Sequence, residues 1–179
     1  MEFELLGWPS DGPTLELDWR RFSYAGKFVM SSTGKVVARD GGTVVAALAF
    51  NEDRTDPDTL WFRYVTVRED RRGEGIGPKL LDYGMGRASE RAYGRVKIAV
   101  NNPFAYEACY RAGFAFTGET TGIAELVLAW TPGNDPDGDS DSYREGLDRF
   151  RERDLSDEEE AFLAKRTERP SPNGASNAE

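Results

Sequence analysis

The stretch that most constrains this chain is Val65 to Leu81, V-T-V-R-E-D-R-R-G-E-G-I-G-P-K-L-L. It opens as a β-branched run, breaks into charge and glycine, and closes as the start of an apolar helix. A strand that turns through glycine into a helix gathers the free N–H groups of the helix N-terminus in one small space. There they act with the helix dipole to attract an anion, most often a phosphate. Gly73, Gly75 and Gly77 permit positive φ and close approach of a ligand, and Pro78 suits a first turn, where a missing N–H costs nothing. The plain alternative is a glycine-rich turn with no ligand.

Three phosphate loops resemble this one in outline. A P-loop places Gly-Lys-Ser/Thr after its glycines, whereas Gly77 is followed by Pro78-Lys79-Leu80. A dinucleotide loop, G-x-G-x-x-G, needs glycine where Leu80 stands. The third pattern is R-x-x-G-x-G, present as Arg72-Gly73-Glu74-Gly75-Ile76-Gly77. With Val67 before it and Leu80-Leu81 after it, this resembles the acetyl-CoA loop of the GNAT superfamily of N-acetyltransferases.

Composition sets the bounds. With 179 residues and 39% apolar content the chain holds one domain with a real core. No apolar run is long enough to span a membrane, and no basic-then-apolar leader opens the sequence. The single cysteine, Cys109, excludes an internal disulfide and suits a reducing cytosol, so a cytoplasmic protein is expected. Histidine is absent, which removes the commonest general base and metal ligand; no metal site is expected. The net charge of −9 is uneven: residues 131–179 carry 14 acids and 7 bases, the rest 18 and 16. No nucleic-acid face and no membrane surface follow from that pattern. Arginine outnumbers lysine 18 to 5. An acidic, lysine-poor chain suits a halophilic archaeon, and genomic base composition explains it as well.

Along the chain, Phe3–Leu6 and Thr14–Leu17 read as short strands around a Pro9–Pro13 turn, and 18–30 has no clean period. Lys35–Arg39 and Thr43–Phe50 read as a hairpin through Asp40-Gly41-Gly42, the second strand apolar on both faces and therefore central. Leu60–Val67 is the next strand. A helix is predicted from Pro78 to about Ala92, then a strand over Val96–Val100, the intervening helix implying a right-handed crossover between parallel strands. Asn102-Pro103 opens a helix that stops at Gly113. Strands over 114–118 and 123–130 complete a domain of residues 1–130. Beyond it, an acidic tail over 131–179 begins as a linker. It then carries a short helix with Tyr143, Leu147 and Phe150 on one face, a capping box at Ser156–Glu159 with a second short helix, and disorder from about 170.

The resemblance strengthens at Asn102, Ala105, Gly113 and Phe114, whose spacing is similar to a second GNAT pattern. The likeness implies an α/β (α+β) fold: a mixed, mostly antiparallel sheet of about six to seven strands flanked by helices. Its elements before residue 33 are shorter than the family's usual helices, so the cover over the substrate is expected to be abbreviated. It implies acetyl-CoA as donor, with the pyrophosphate on the amides of Gly73, Glu74, Gly75, Ile76, Gly77 and Lys79 around Pro78. Arg72, or Arg71 in its place, would lie along the phosphates. Backbone N–H groups near Thr66–Val67 would meet the oxyanion, and Asn102 would bind the CoA arm or simply cap its helix.

The family's tyrosine, an acid for the departing thiolate, falls at Cys109, and Tyr110 lies one residue later. Tyr110 is the candidate acid, or else a core aromatic beside Tyr106. Cys109 holds the family position, or else is a small buried hydrophobe. The implied reaction is direct attack of an amine, from a small molecule or peptide, on the thioester. No general base is assigned, and the protein is expected as monomer or homodimer. A non-catalytic acyl-CoA-binding module, or an interaction module docking through Tyr143-Leu147-Phe150, stands as the alternative.

Overall fold

Asp40 and Thr43 face each other across the first tight turn, and the two residues between them, Gly41 and Gly42, both have positive φ (58° and 85°), the geometry that matches strand twist. That hairpin joins β2 (Gly34–Asp40) to β3 (Thr43–Glu52). The computed structural model describes residues 1–133 and 140–166. Its other elements are β1 (Glu2–Gly7), β4 (Thr59–Val67), α1 (Ile76–Glu90), β5 (Arg95–Val100), α2 (Pro103–Ala112), β6 (Ala115–Thr120), β7 (Leu126–Trp130), α3 (Ser140–Arg151) and α4 (Asp157–Ala164). The strands form one seven-stranded sheet in the order β1-β2-β3-β4-β5-β7-β6. β1–β2, β2–β3, β3–β4 and β6–β7 pair antiparallel. The expected mixed, mostly antiparallel architecture is the observed one.

Two compact units make up the chain, Met1–Val96 and the residues from Lys97 onward. In the first, β3 lies between β2 and β4, as its two apolar faces require. Leu48 and Phe62 look toward α1, whose Leu80, Leu81 and Met85 are buried. Each such side chain contributes roughly 1.5–3 kcal/mol by leaving water, which is what seats the helix. Gly84 allows the close approach: a Cβ there would stand 2.7 Å from Leu48 Cδ2. On the opposite face Val37, Ala47 and Ala49 pack with Phe28, and Leu15 and Leu17 join them.

Thr14–Leu17 is therefore not the strand its alternation suggests. It is irregular chain laid over the sheet, anchored by the Leu15 amide donating to Phe28 O (2.9 Å). Before α1, helical structure among the described residues amounts to three 3-10 turns, two of them, Pro9–Asp11 and Ala25–Lys27, in the cover itself. The buried Lys35 ammonium ties this cover down by donating to Pro13 O, Met30 O (both 2.7 Å) and Thr33 O (2.8 Å).

In the second unit α2 has the predicted bounds, with Asn102 as N-cap and Gly113 closing it at φ 113°. Tyr106, Tyr110, Tyr143 and Phe150 form an aromatic core, with Tyr106–Tyr110 centroids 4.9 Å apart and Tyr110–Tyr143 5.0 Å. α3 and α4 pack on α2. The Tyr143-Leu147-Phe150 face is consequently buried at 0%, 0% and 1% exposure and offers no docking surface. The Ser156 capping box forms as expected, with Ser156 Oγ accepting from Glu159 N (3.2 Å) and Glu159 Oε1 from Ser156 N (3.1 Å). Glu107 is buried beneath these helices, where it accepts from the Tyr143 hydroxyl and lies 3.6 Å from Arg166 Nε. The linker at 134–139 and the tail from 170 lie outside the described residues.

Candidate functional site

The glycine loop and the start of α1 are one continuous structure. α1 begins at Ile76, two residues earlier than the sequence suggested, so Gly77 is already helical. Only Gly73 and Gly75 of the three glycines have positive φ, 84° and 78°. Gly75 is the N-cap and supplies no side chain to the helix end. The Ile76 and Gly77 amides thus start a helix whose first donors have no intrahelical acceptor. A Cβ on Gly73 or Gly75 would find no atom within 4 Å, so the space over the loop is open. Pro78 sits within the first turn, and Lys79 beside it is exposed.

The two candidate arginines separate clearly. Arg71 is held by Glu74 Oε2 (2.8 Å) and Asp40 Oδ2 (2.9 Å), and those carboxylates push its pKa upward, Glu74 first. The Glu74 carboxylate is engaged in the same pair, leaving its backbone as the part that faces the loop. Arg72 has no ion pair among the described residues. It donates to Val67 O (3.3 Å) and Ser23 Oγ (3.2 Å), both neutral oxygens. Ser23, remote in sequence and without a motif, could not have been found by spacing. Asp70 is paired bidentately with Arg68, whose hydrogen bond is the main cause of its lowered pKa. Thr66 is buried with an Oγ1 that has no partner among the described residues.

The second constellation lies on α2. Asn102 Oδ1 caps the helix by accepting from Ala105 N (2.8 Å), and its Nδ2 donates to Asn101 (3.2 Å). Cys109 is buried at 1% exposure, and desolvation pushes its thiol pKa far up. Tyr110 is buried equally, with its hydroxyl accepting from Phe116 N (2.8 Å) and paired with Ser142 Oγ (2.9 Å).

A central strand, an open glycine loop and an uncapped helix start with one unpaired arginine define an α/β protein equipped to bind a phosphate-bearing ligand. The chain belongs to the acetyltransferase (GNAT) family, whose profile matches residues 2–114 and so takes in both motifs. Solved structures share its fold. The ribosomal-protein-alanine N-acetyltransferase from Brucella melitensis aligns with a TM-score of 0.50 at 20% identity, over 55% of this chain and 68% of its own. A GNAT phosphinothricin acetyltransferase from Sinorhizobium meliloti, in complex with acetyl-CoA, gives 0.50 at 18%, over 55% and 60%. Salmonella typhimurium yncA, with its cofactor acetyl-CoA, gives 0.51 at 16%, over 57% and 66%. At these identities the likeness is one of fold alone. No curated protein matches the chain. Among the described residues no helix is long and apolar enough to cross a membrane.

Proposed function

We propose that this protein is an N-acetyltransferase that moves the acetyl group of acetyl-CoA to a primary amine by direct attack. The observation that carries the reading is the open, uncapped start of α1 at Gly75–Gly77, in a chain of the GNAT family. The residues present fit the donor. The amides of Gly73, Glu74, Gly75, Ile76, Gly77 and Lys79 receive its pyrophosphate around Pro78. Arg72 supplies the cation along the phosphates, while Arg71 braces the loop through Glu74 and Asp40. The orphaned Thr66 hydroxyl is the kind of buried donor that a ligand's polar atom would satisfy, and backbone N–H groups near Val67 would stabilise the oxyanion. When bound, the donor supplies an activated thioester, and positioning supplies most of the rate.

Asn102 serves α2 as its cap in this reading, with CoA contact a secondary role. The buried thiol of Cys109 and the committed hydroxyl of Tyr110 favour water as the proton source for the departing thiolate. The same burial favours, as a second reading, a CoA-binding module without turnover. Calorimetry with CoA followed by an amine screen for thiol release separates the two. Binding with release establishes the transferase, binding without release the module, and no binding removes both.

A further inference from the structure

We propose that the first unit carries a cavity for an acidic amine, and that the acetyl acceptor is a molecule whose amine is accompanied by a carboxylate or phosphate-type oxyanion. Calling the ligand an acceptor rests on the acetyl-transfer reading; the cavity's preference for an anion does not.

The cavity measures about 520 Å³, the size of a small-molecule site. It lies between the cover segment and the far end of the β3–β4 hairpin, with Met30, Trp61 and Tyr64 among its apolar walls. Arg63 is four residues before Val67 on β4, roughly 13 Å along a strand at about 3.3 Å per residue. The pantetheine arm of CoA can reach that far. Register explains why Arg63 stands where it does. Ala49 pairs with Tyr64 and the next residue, Phe50, with Phe62, so Arg63 is the extra residue of a bulge, a device that re-aims a side chain.

The charges lining the cavity are not equally available. Of its two carboxylates, Asp53 accepts from the Trp61 indole N–H and from the Thr55 amide (2.8 Å) and hydroxyl (2.9 Å), while Glu52 accepts from the Tyr93 hydroxyl (3.2 Å). Of its three cations, Lys27, Arg54 and Arg63, none has an ion pair among the described residues. Arg63 spends Nε on Asn51 Oδ1 (2.6 Å) and lies 4.9 Å over the Trp61 ring; the Asp53 charge acts on it, but its two terminal nitrogens make no ion pair among the described residues. The Lys27 ammonium rests 5.7 Å from the Tyr64 ring. Three cations against two carboxylates that are already hydrogen-bonded, with Arg63 and Lys27 next to aromatic faces, match an oxyanion carried on an apolar or aromatic body.

The test titrates the full chain calorimetrically with matched amines: L-phenylalanine against phenethylamine, L-methionine against its amide, and O-phosphoethanolamine against ethanolamine. The acidic member of at least one pair should bind at least about tenfold more tightly, the scale of one charge-assisted contact. Arg63→Gln and Lys27→Gln should each reduce that preference, Arg63→Gln nearly to parity, while CoA affinity stays unchanged. Equal binding within every pair, no binding of any acidic member, or a preference that survives both substitutions overturns the proposal. Acidic amines that bind while CoA does not would remove the transferase reading and leave the cavity standing. CoA binding without any acidic preference would do the reverse.

Discussion

Replacing Tyr110 with phenylalanine tests whether its hydroxyl belongs to the core or to the reaction. In the structure that oxygen accepts the Phe116 amide at 2.8 Å and meets Ser142 Oγ at 2.9 Å, at 1% exposure. The ring itself stays packed between Tyr106 and Tyr143, so the substitution removes the hydrogen bonds and little else. A buried N–H left without an acceptor costs about 1–3 kcal/mol. For a chain of this length each kcal/mol moves the midpoint by roughly 2–4 °C, so Tm should fall by about 2–12 °C. Thermal unfolding followed by circular dichroism reads the loss. Turnover is then compared well below the variant's own transition, with an acceptor from the amine screen. A core role predicts the stability loss with kcat changed less than about threefold, well short of the usual contribution of a general acid. An unchanged Tm with turnover reduced at least about tenfold would refute the reasoning and make the hydroxyl the acid for the thiolate.

Other perturbations address the loop and the buried phenols. Gly75→Val places a branched side chain at φ 78° in the open space over the loop and should abolish measurable CoA binding by calorimetry; Gly77→Ala, at a helical position with only ordinary contact to Val67 Cγ2 (3.7 Å), should leave the fold unchanged, as circular dichroism will show. Arg72→Ala should weaken CoA about tenfold and flatten the salt dependence of binding, whereas Arg71→Ala should loosen the loop with less change in that salt slope. Burial raises the phenol pKa of Tyr106 and of Tyr143, with the Glu107 carboxylate adding to the shift at Tyr143. A raised folded pKa means the folded chain keeps protons that the unfolded chain releases above its ordinary value near 10. Stability from these groups is therefore complete below about pH 10 and should fall as pH rises beyond it, in urea titrations across pH 8 to 11.

The legible part of this protein is local. The Asp40-Gly41-Gly42 turn, the Asn102 cap, the Gly113 stop and the Ser156 box all formed where the sequence placed them, and the glycine loop did so up to Gly75, because each is set by atoms a few residues apart. The apolar runs of β3 and α1 were readable because periodicity records which faces lose water. What the sequence left open is non-local. Arg71 and Arg72 are adjacent and chemically identical, and Glu74 together with Asp40, 31 residues from Arg71, decides which one is left without an ion pair. Tyr143, Leu147 and Phe150 form an amphipathic stripe that fits a partner as well as a core, and α2 decided for the core. Thr14–Leu17 alternates like a strand, yet ends as irregular cover because the backbone of Leu15 bonds to Phe28 rather than to a strand, while its side chain packs on the Phe28 cluster. Lys27 and Arg63 had no motif at all: the β4 bulge and the fold of the cover bring them to one cavity. Propensity and capping act within a turn or two of chain, whereas charge pairing and burial depend on which distant segments the fold brings together.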